Sequence, residues 1–143
     1  MGLFDVMDIS ASGMTAQRLR FDVISNNIAN VNTTRTNEGG PFRRERVIFQ
    51  ERKDKKHFSD YLRDNKPTGV KVVSIEKDTA PFRIVYDPTH PDADLEGYVR
   101  LPNVNIVTEM VDMISAFRSY EANVTALNAA KSMMSKTLEM SKI

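Results

Sequence analysis

The 143-residue sequence predicts an α+β fold. Two long terminal helices pair in coiled-coil fashion, and a small β-rich region lies between them. Three observations carry this reading. Near the N-terminus, apolar residues fall at alternating steps of three and four: Phe4, Met7, Ala11, Met14, Phe21 and Ile28, with Arg18 and Ser25 filling the gaps. The C-terminal stripe is stricter: Ile106, Met110, Met113, Phe117, Tyr120, Val124, Leu127, Met134 and Leu138, broken only by Lys131. Such spacing puts the side chains on one helix face, which calls for another helix. Between the stripes, short apolar segments alternate with charged residues and are separated by Gly and Pro, the patterning of strands and turns.

The first helix is expected over about residues 3–31. The run Ser25-Asn26-Asn27-Ile28-Ala29-Asn30-Val31-Asn32 marks its end, because asparagine is a middling-to-poor helix former that tolerates the left-handed turn closing a helix. Gly39-Gly40-Pro41 is a firm break. A strand is expected within Phe42–Gln50. The stretch 50–68 is highly charged, with a short helix around Phe58–Leu62 and a turn at Pro67-Thr68-Gly69. Val70–Ile75 reads as a strand with Val70, Val72 and Ser74 on one face. Phe82–Tyr86 reads as another, and the short connection between these two suggests a hairpin. After a loop at 87–97, Tyr98–Leu101 is a last short strand. Pro102 ends it, Asn103 or Asn105 caps the next helix, and Glu109 sits where the helix dipole favours an acid. That helix is expected to run to about Ser141. The division is therefore 1–34, an N-terminal helix; 35–102, a β-rich middle with the charged loop 50–68; and 103–143, a C-terminal helix.

Composition narrows the function. Twenty basic and nineteen acidic side chains give a net charge of +1, which makes no global case for nucleic acid or an anionic membrane. The absence of cysteine removes disulfides, thiolate metal sites and a cysteine nucleophile. No apolar run approaches the roughly 20 residues of a membrane span. Asp5 and Asp8 interrupt the N-terminus, and the first basic residue is Arg18, unlike a cleaved secretion signal.

The loop from Asp87 to Gly97 holds His90 and four acids, but it matches neither a calcium loop nor a zinc pattern. A turn in which Asp side chains bond nearby amides is favoured. Arg43, Arg44, Arg46, Arg52, Lys53, Lys55 and Lys56 are interleaved with Glu45, Glu51 and Asp54, which favours a solvated surface or a protein-contact rim over nucleic acid. His57 and His90 lie in no nucleophile or phosphate-loop motif, so neither an enzyme nor a cofactor is expected.

Each large seam side chain contributes about 1.5–3 kcal/mol when buried, while ordering each residue costs about 1–2 kcal/mol of backbone entropy. The interrupted N-terminal stripe is therefore expected to be largely disordered in a lone subunit and to fold on assembly.

Two stretches carry a family resemblance. Ser12-Gly13-Met14-Thr15-Ala16-Gln17, continuing to Ser25–Thr33, resembles the N-terminal signature of the bacterial flagellar rod, hook and hook-associated proteins. Glu109–Asn123 is similar to the matching C-terminal helix of that family. The loop Tyr86–Asp94, with Gly97-Tyr98-Val99 and Pro102-Asn103-Val104, narrows the resemblance to its proximal-rod branch. Many relatives carry Pro-Gly after Ala-Asn-x-x-Thr; here Thr34-Arg35 follows Thr33, as in that branch. The short middle segment argues against hook or filament-junction proteins.

The resemblance implies a structural subunit of the rod, exported unfolded through the flagellar type III apparatus without a cleaved signal. It further implies helical self-association around a channel, terminal helices inward and the middle segment outward. The partners implied are other rod proteins and the adaptor joining the rod to the membrane ring, with no nucleic acid and no direct membrane span. The expected subunit-packing positions are Phe4, Met7, Met14, Phe21, Asn26, Asn27, Ile28 and Asn30 on the first helix. On the second they are Ile106, Met110, Met113, Phe117, Tyr120, Val124, Leu127, Met134 and Leu138. Asn26, Asn27, Asn30 and Asn32 are expected to offer directional bonds to neighbours. The alternative from the residues alone is a non-flagellar coiled-coil module that recruits one partner in the cytoplasm.

Overall fold

The computed structural model describes residues 3–52 and 68–140. The expected short helix at 58–62 lies outside them. Helix α1 spans Leu3–Ala29, followed by strands β1 (Glu45–Glu51), β2 (Val70–Lys77), β3 (Arg83–Tyr86) and β4 (Tyr98–Leu101), and helix α2 spans Ile106–Met140. This is the α+β arrangement of two long helices around small sheets.

The helices run antiparallel. Asn27 meets Glu109, Arg20 meets Asp112, and Gly13 lies against Asn123. A Cβ on Gly13 would stand 2.9 Å from Asn123 Oδ1, so the missing side chain sets how closely the helices approach there. At 1.5 Å per residue α1 is roughly 40 Å long and α2 roughly 52 Å, so α2 outruns its partner.

The seam between the helices differs from the apolar stripes. On α2 the inward positions are Glu109, Met113, Ala116, Asn123, Leu127, Ala130 and Met134, with Glu109, Ala116 and Ala130 fully buried. They keep heptad spacing, but four of the seven are small or polar. Ile106, Met110, Phe117 and Leu138 are instead exposed, and Tyr120 lies at the edge. On α1, Ser10, Ala16, Val23, Ile24 and Asn27 are buried, whereas Phe4 and Phe21 are exposed. Met7, Met14 and Ile28 are half-buried, as is Val124 on α2.

The chain between the helices forms two antiparallel ribbons, β1 with β2 and β3 with β4, and of the two the β1–β2 ribbon packs on α1. The expected hairpin between 70–75 and 82–86 does not form. β2 pairs with β1 from Glu45–Lys77 to Glu51–Val70, and the amide of Asp78 extends that ladder by donating to Arg44 O. The carbonyls of Asp78 and Ala80 then accept from Arg43 Nη1 and Asn103 Nδ2. Pro81 supplies no N–H, so the chain leaves the first ribbon before β3 begins. In β2, Val70, Val72 and Ser74 share the less exposed face, as the alternation predicts. Ser12 ties this ribbon to α1: its hydroxyl donates to Ile9 O and accepts from Val70 N at 3.1 Å.

Of the two expected cap residues, Asn105 is the cap. Its Oδ1 accepts from Val107 N (3.0 Å) and more weakly from Thr108 N (3.4 Å). Asn103 bridges the ribbons, accepting from Arg44 N at 2.9 Å.

Candidate assembly surface

A polar joint fixes the helix pair to the β1–β2 ribbon. At its centre is Glu109, in the first turn of α2 and only 1% exposed. Its Oε1 accepts from Arg44 Nε at 2.6 Å, and its Oε2 accepts from Asn27 Nδ2 at 2.9 Å. Arg44 also reaches Asp112 at 3.2 Å and Asp78 at 3.7 Å; Arg20 of α1 takes the other oxygen of Asp112 at 3.2 Å. A buried carboxylate is tolerated only when paired and hydrogen-bonded, and the α2 N-terminus adds favourable dipole.

Asn27 closes the joint. Its amide brackets the first residue of β1, with Nδ2 donating to Glu45 O and Oδ1 accepting from Glu45 N, both at 2.9 Å. Expected to bond a neighbouring subunit, it is turned inward because the buried ends of α1, β1 and α2 converge on it. Asn30 also bonds locally, donating to Asn26 O and Oδ1. Asn26 and Asn32 remain exposed. The Glu109–Arg44 pair escaped sequence reading, although acids at 109 and 112, one helix turn apart, opposite an Arg-rich strand entry were its visible signal.

The loop after β3 is held by its own acids. Asp87 accepts from the amide and hydroxyl of Thr89, and Asp94 accepts from the amides of Glu96 and Tyr98. Asp92 joins the loop to the end of the N-terminal segment through Thr34 Oγ1 (2.6 Å) and Arg35. The Thr34 hydroxyl, with Arg35 adding to it, holds Asp92 below its ordinary pKa. Bonds from Thr89 do the same for Asp87. Asp78 is lowered chiefly by the Ala80 amide, with Arg46 and Arg44 assisting against partial burial. Among the described residues, no three His, Asp or Glu side chains are grouped to hold a metal ion, and no helix is long and apolar enough to cross a membrane.

The second element of the surface is the outer face of α2. Ile106, Val107, Met110, Val111, Ile114 and Phe117 form an exposed apolar stripe beside the seam. Along its edge Phe117 and Tyr120 combine with Gln17, Arg18, Phe21 and Ala116 to line a groove of about 290 Å³. Many of the inward groups are thus small or polar, while several of the large apolar groups of α2 face outward. Fold and surface define a helical-arm subunit of the kind that packs against others.

Comparison with known proteins agrees. The family described as flagella basal body rod protein matches residues 7–35, and that described as flagellar basal body rod FlgEFG protein C-terminal matches 95–140. The flagellar basal-body rod protein FlgC of Borreliella burgdorferi is 54% identical, covering 96% of this chain and 97% of its own. Its namesake in Bacillus subtilis is 48% identical, over 99% of this chain and all of its own. That of Salmonella typhimurium is 41% identical over 98% of each. The chain belongs to the FlgC family of flagellar basal-body rod proteins, structural components of the bacterial flagellar basal body.

Proposed function

We propose that the protein is a subunit of the proximal rod, exported through the flagellar type III apparatus and stacked helically with other rod proteins to transmit torque. The observation that carries this reading is the outward apolar stripe of α2, from Ile106 to Phe117. A lone soluble chain gains nothing from it, whereas a neighbouring helix would cover it. Phe4, Phe21 and Leu138 add to the uncovered area. In this reading residues 1–34 and 103–143 form the inner tube, 35–102 lies outside, and the joint at Glu109 keeps the two at a fixed angle. Close-packed seams resist shear because side chains cannot slide without opening voids. Other rod proteins and the adaptor to the membrane ring are the neighbours this arrangement requires.

Phe117→Asp tests it. The side chain is 53% exposed, so fold stability should change by less than about 1 kcal/mol. The variant is expected to be synthesised and folded, absent from purified basal bodies, and unable to restore swimming to a deletion strain. Normal incorporation and swimming would overturn the assignment.

A further inference from the structure

Strand β3 leaves one backbone edge open. Among the described helices and strands, only β4 lies alongside it. The ladder fixes which groups face out. Asp87 N donates to Gly97 O at 2.9 Å, so the pair that continues the Tyr86–Tyr98 register is a hydrogen-bonded one. Such pairs alternate along an antiparallel ribbon. Arg83 and Val85 therefore turn their N–H and C=O toward β4, while Ile84 and Tyr86 turn theirs away from it. No described residue bonds to those outward groups. The far edge of β4 differs. At Tyr98 it is closed by Asp94, whose N–H donates to Tyr98 O and whose Oδ1 accepts from Tyr98 N, both at 2.9 Å.

The open edge is complementary to itself. From Arg83 to Asp87 it runs cation, apolar, Val, apolar, anion. Two copies laid antiparallel about Val85 put Ile84 opposite Tyr86, Val85 opposite Val85, and Arg83 opposite Asp87. Ile84 and Tyr86 then form the hydrogen-bonded pairs and use every outward N–H and C=O. Arg83–Asp87 and Val85–Val85 form the other pairs, in which side chains come closest. Arg83 is exposed, and its guanidinium has no partner among the described residues. Asp87 holds Thr89 through Oδ1 alone. Ile84 and Tyr86 are 63% and 65% exposed, so pairing would cover apolar area. A slip of two residues, the smallest that keeps the outward groups matched, loses both charge pairs.

We propose that β3 pairs with β3 of a second copy across a two-fold axis at Val85, joining the two ribbons into one antiparallel sheet. The contact is isologous and closes on itself. Copies stacked one way along a rod cannot face each other like this, so the dimer belongs to copies outside the stack. It uses neither helix. An unpaired strand edge invites pairing with any passing chain, and self-pairing covers it. The edge is short, so the dimer is weak and is best trapped covalently.

The cysteine-free chain gives a test without background. Val85→Cys places both sulfurs at the axis, with Cα atoms about 4.5 Å apart, within reach of a disulfide. Ile84→Cys is the control. That position is 63% exposed against 38% for Val85, yet its two copies would stand about 8 Å apart, too far to bridge. Under mild oxidation of the concentrated full chain, Val85→Cys should give a covalent dimer and Ile84→Cys should stay monomeric. Adding Arg83→Glu to Val85→Cys sets two acids opposite each other and should abolish the dimer. Adding Ile84→Pro should do the same, because the ring removes an N–H that faces away from β4 and leaves the β3–β4 ladder whole. Circular dichroism matching the parent identifies the variants that fold. Adding Phe117→Asp should leave the dimer intact, which separates this contact from rod assembly. No dimer from Val85→Cys, equal linking of Ile84→Cys, or a dimer that survives Arg83→Glu would overturn the pairing. Linkage of Val85→Cys to a different protein, identified by mass in cells, would overturn the second copy as occupant.

Discussion

Asn27, at the end of α1, donates a 2.9 Å hydrogen bond to the buried carboxylate of Glu109, in the first turn of α2. The same amide brackets both backbone groups of Glu45. One side chain therefore ties together three elements that are far apart in sequence.

Removing the centre of this joint should be costly. Glu109→Ala strands Arg44 and the Asn27 amide, and breaking a buried pair from one side costs about 3–5 kcal/mol. Glu109→Gln keeps the shape and should cost less, about 1–3 kcal/mol. Urea titration with an unchanged slope is the measurement. A loss below about 1 kcal/mol for Glu109→Ala would show that the network does not hold the fold.

Acid should unfold the protein for an assignable reason. Asp78, Asp87 and Asp92 all have folded pKa values below the ordinary aspartate value of about 3.9. As pH falls, the unfolded chain takes up protons first. Their contribution is therefore complete above the ordinary value and is lost as pH drops through the folded ones. Urea midpoints at pH 7, 5, 4 and 3 should decline below about pH 4. Thr34→Val, which removes the main cause at Asp92, should make the decline shallower. A midpoint that does not fall toward pH 3 would contradict the assignment.

Gly69 has φ of +94°, and a Cβ there would overlap Ser12 Oγ, the acceptor for Val70 N. Gly69→Ala should destabilise by about 2–3 kcal/mol, combining left-handed strain with the displaced bond. Ser12→Ala should cost less, about 1 kcal/mol. Thermal melts of the two variants provide the check, and equal midpoints would refute the ordering.

The lone subunit should hold α1 weakly. Beside Val23, Ile24, Leu127 and Met134, its seam with α2 includes Gly13, Ala16, Ala116, Asn123 and Ala130, which bury little apolar area. Amide exchange in the dilute monomer should be fast over the first half of α1 and slow in β1 and β2. Uniform protection of α1 would show that the helix is stable before assembly.

The helices were legible because three-and-four spacing persists over their whole lengths, and the Asn105 cap because its residue type and place agree. The four strands followed from alternation and turn residues. Their pairing did not, since it depends on Arg43 and Asn103 capturing the carbonyls of the Asp78–Pro81 turn from distant points in the chain. The inner seam was hidden for another reason. Hydrophobic pattern reveals large apolar residues, and in this chain many of those, such as Met110 and Phe117, point away from the partner helix. Small and polar residues mark the internal contact, and their pattern is faint until Glu109, Ala116, Asn123 and Ala130 are seen in one line.

The charged joint draws on Arg20, Asn27, Arg44, Asp78, Asn103, Glu109 and Asp112. A polypeptide that emerges gradually, N-terminus leading, cannot complete it until the start of the last helix is free. Contacts of such long sequence separation form late and slowly. The joint therefore acts as a late latch, closing only once residues from both ends of the polypeptide are present together.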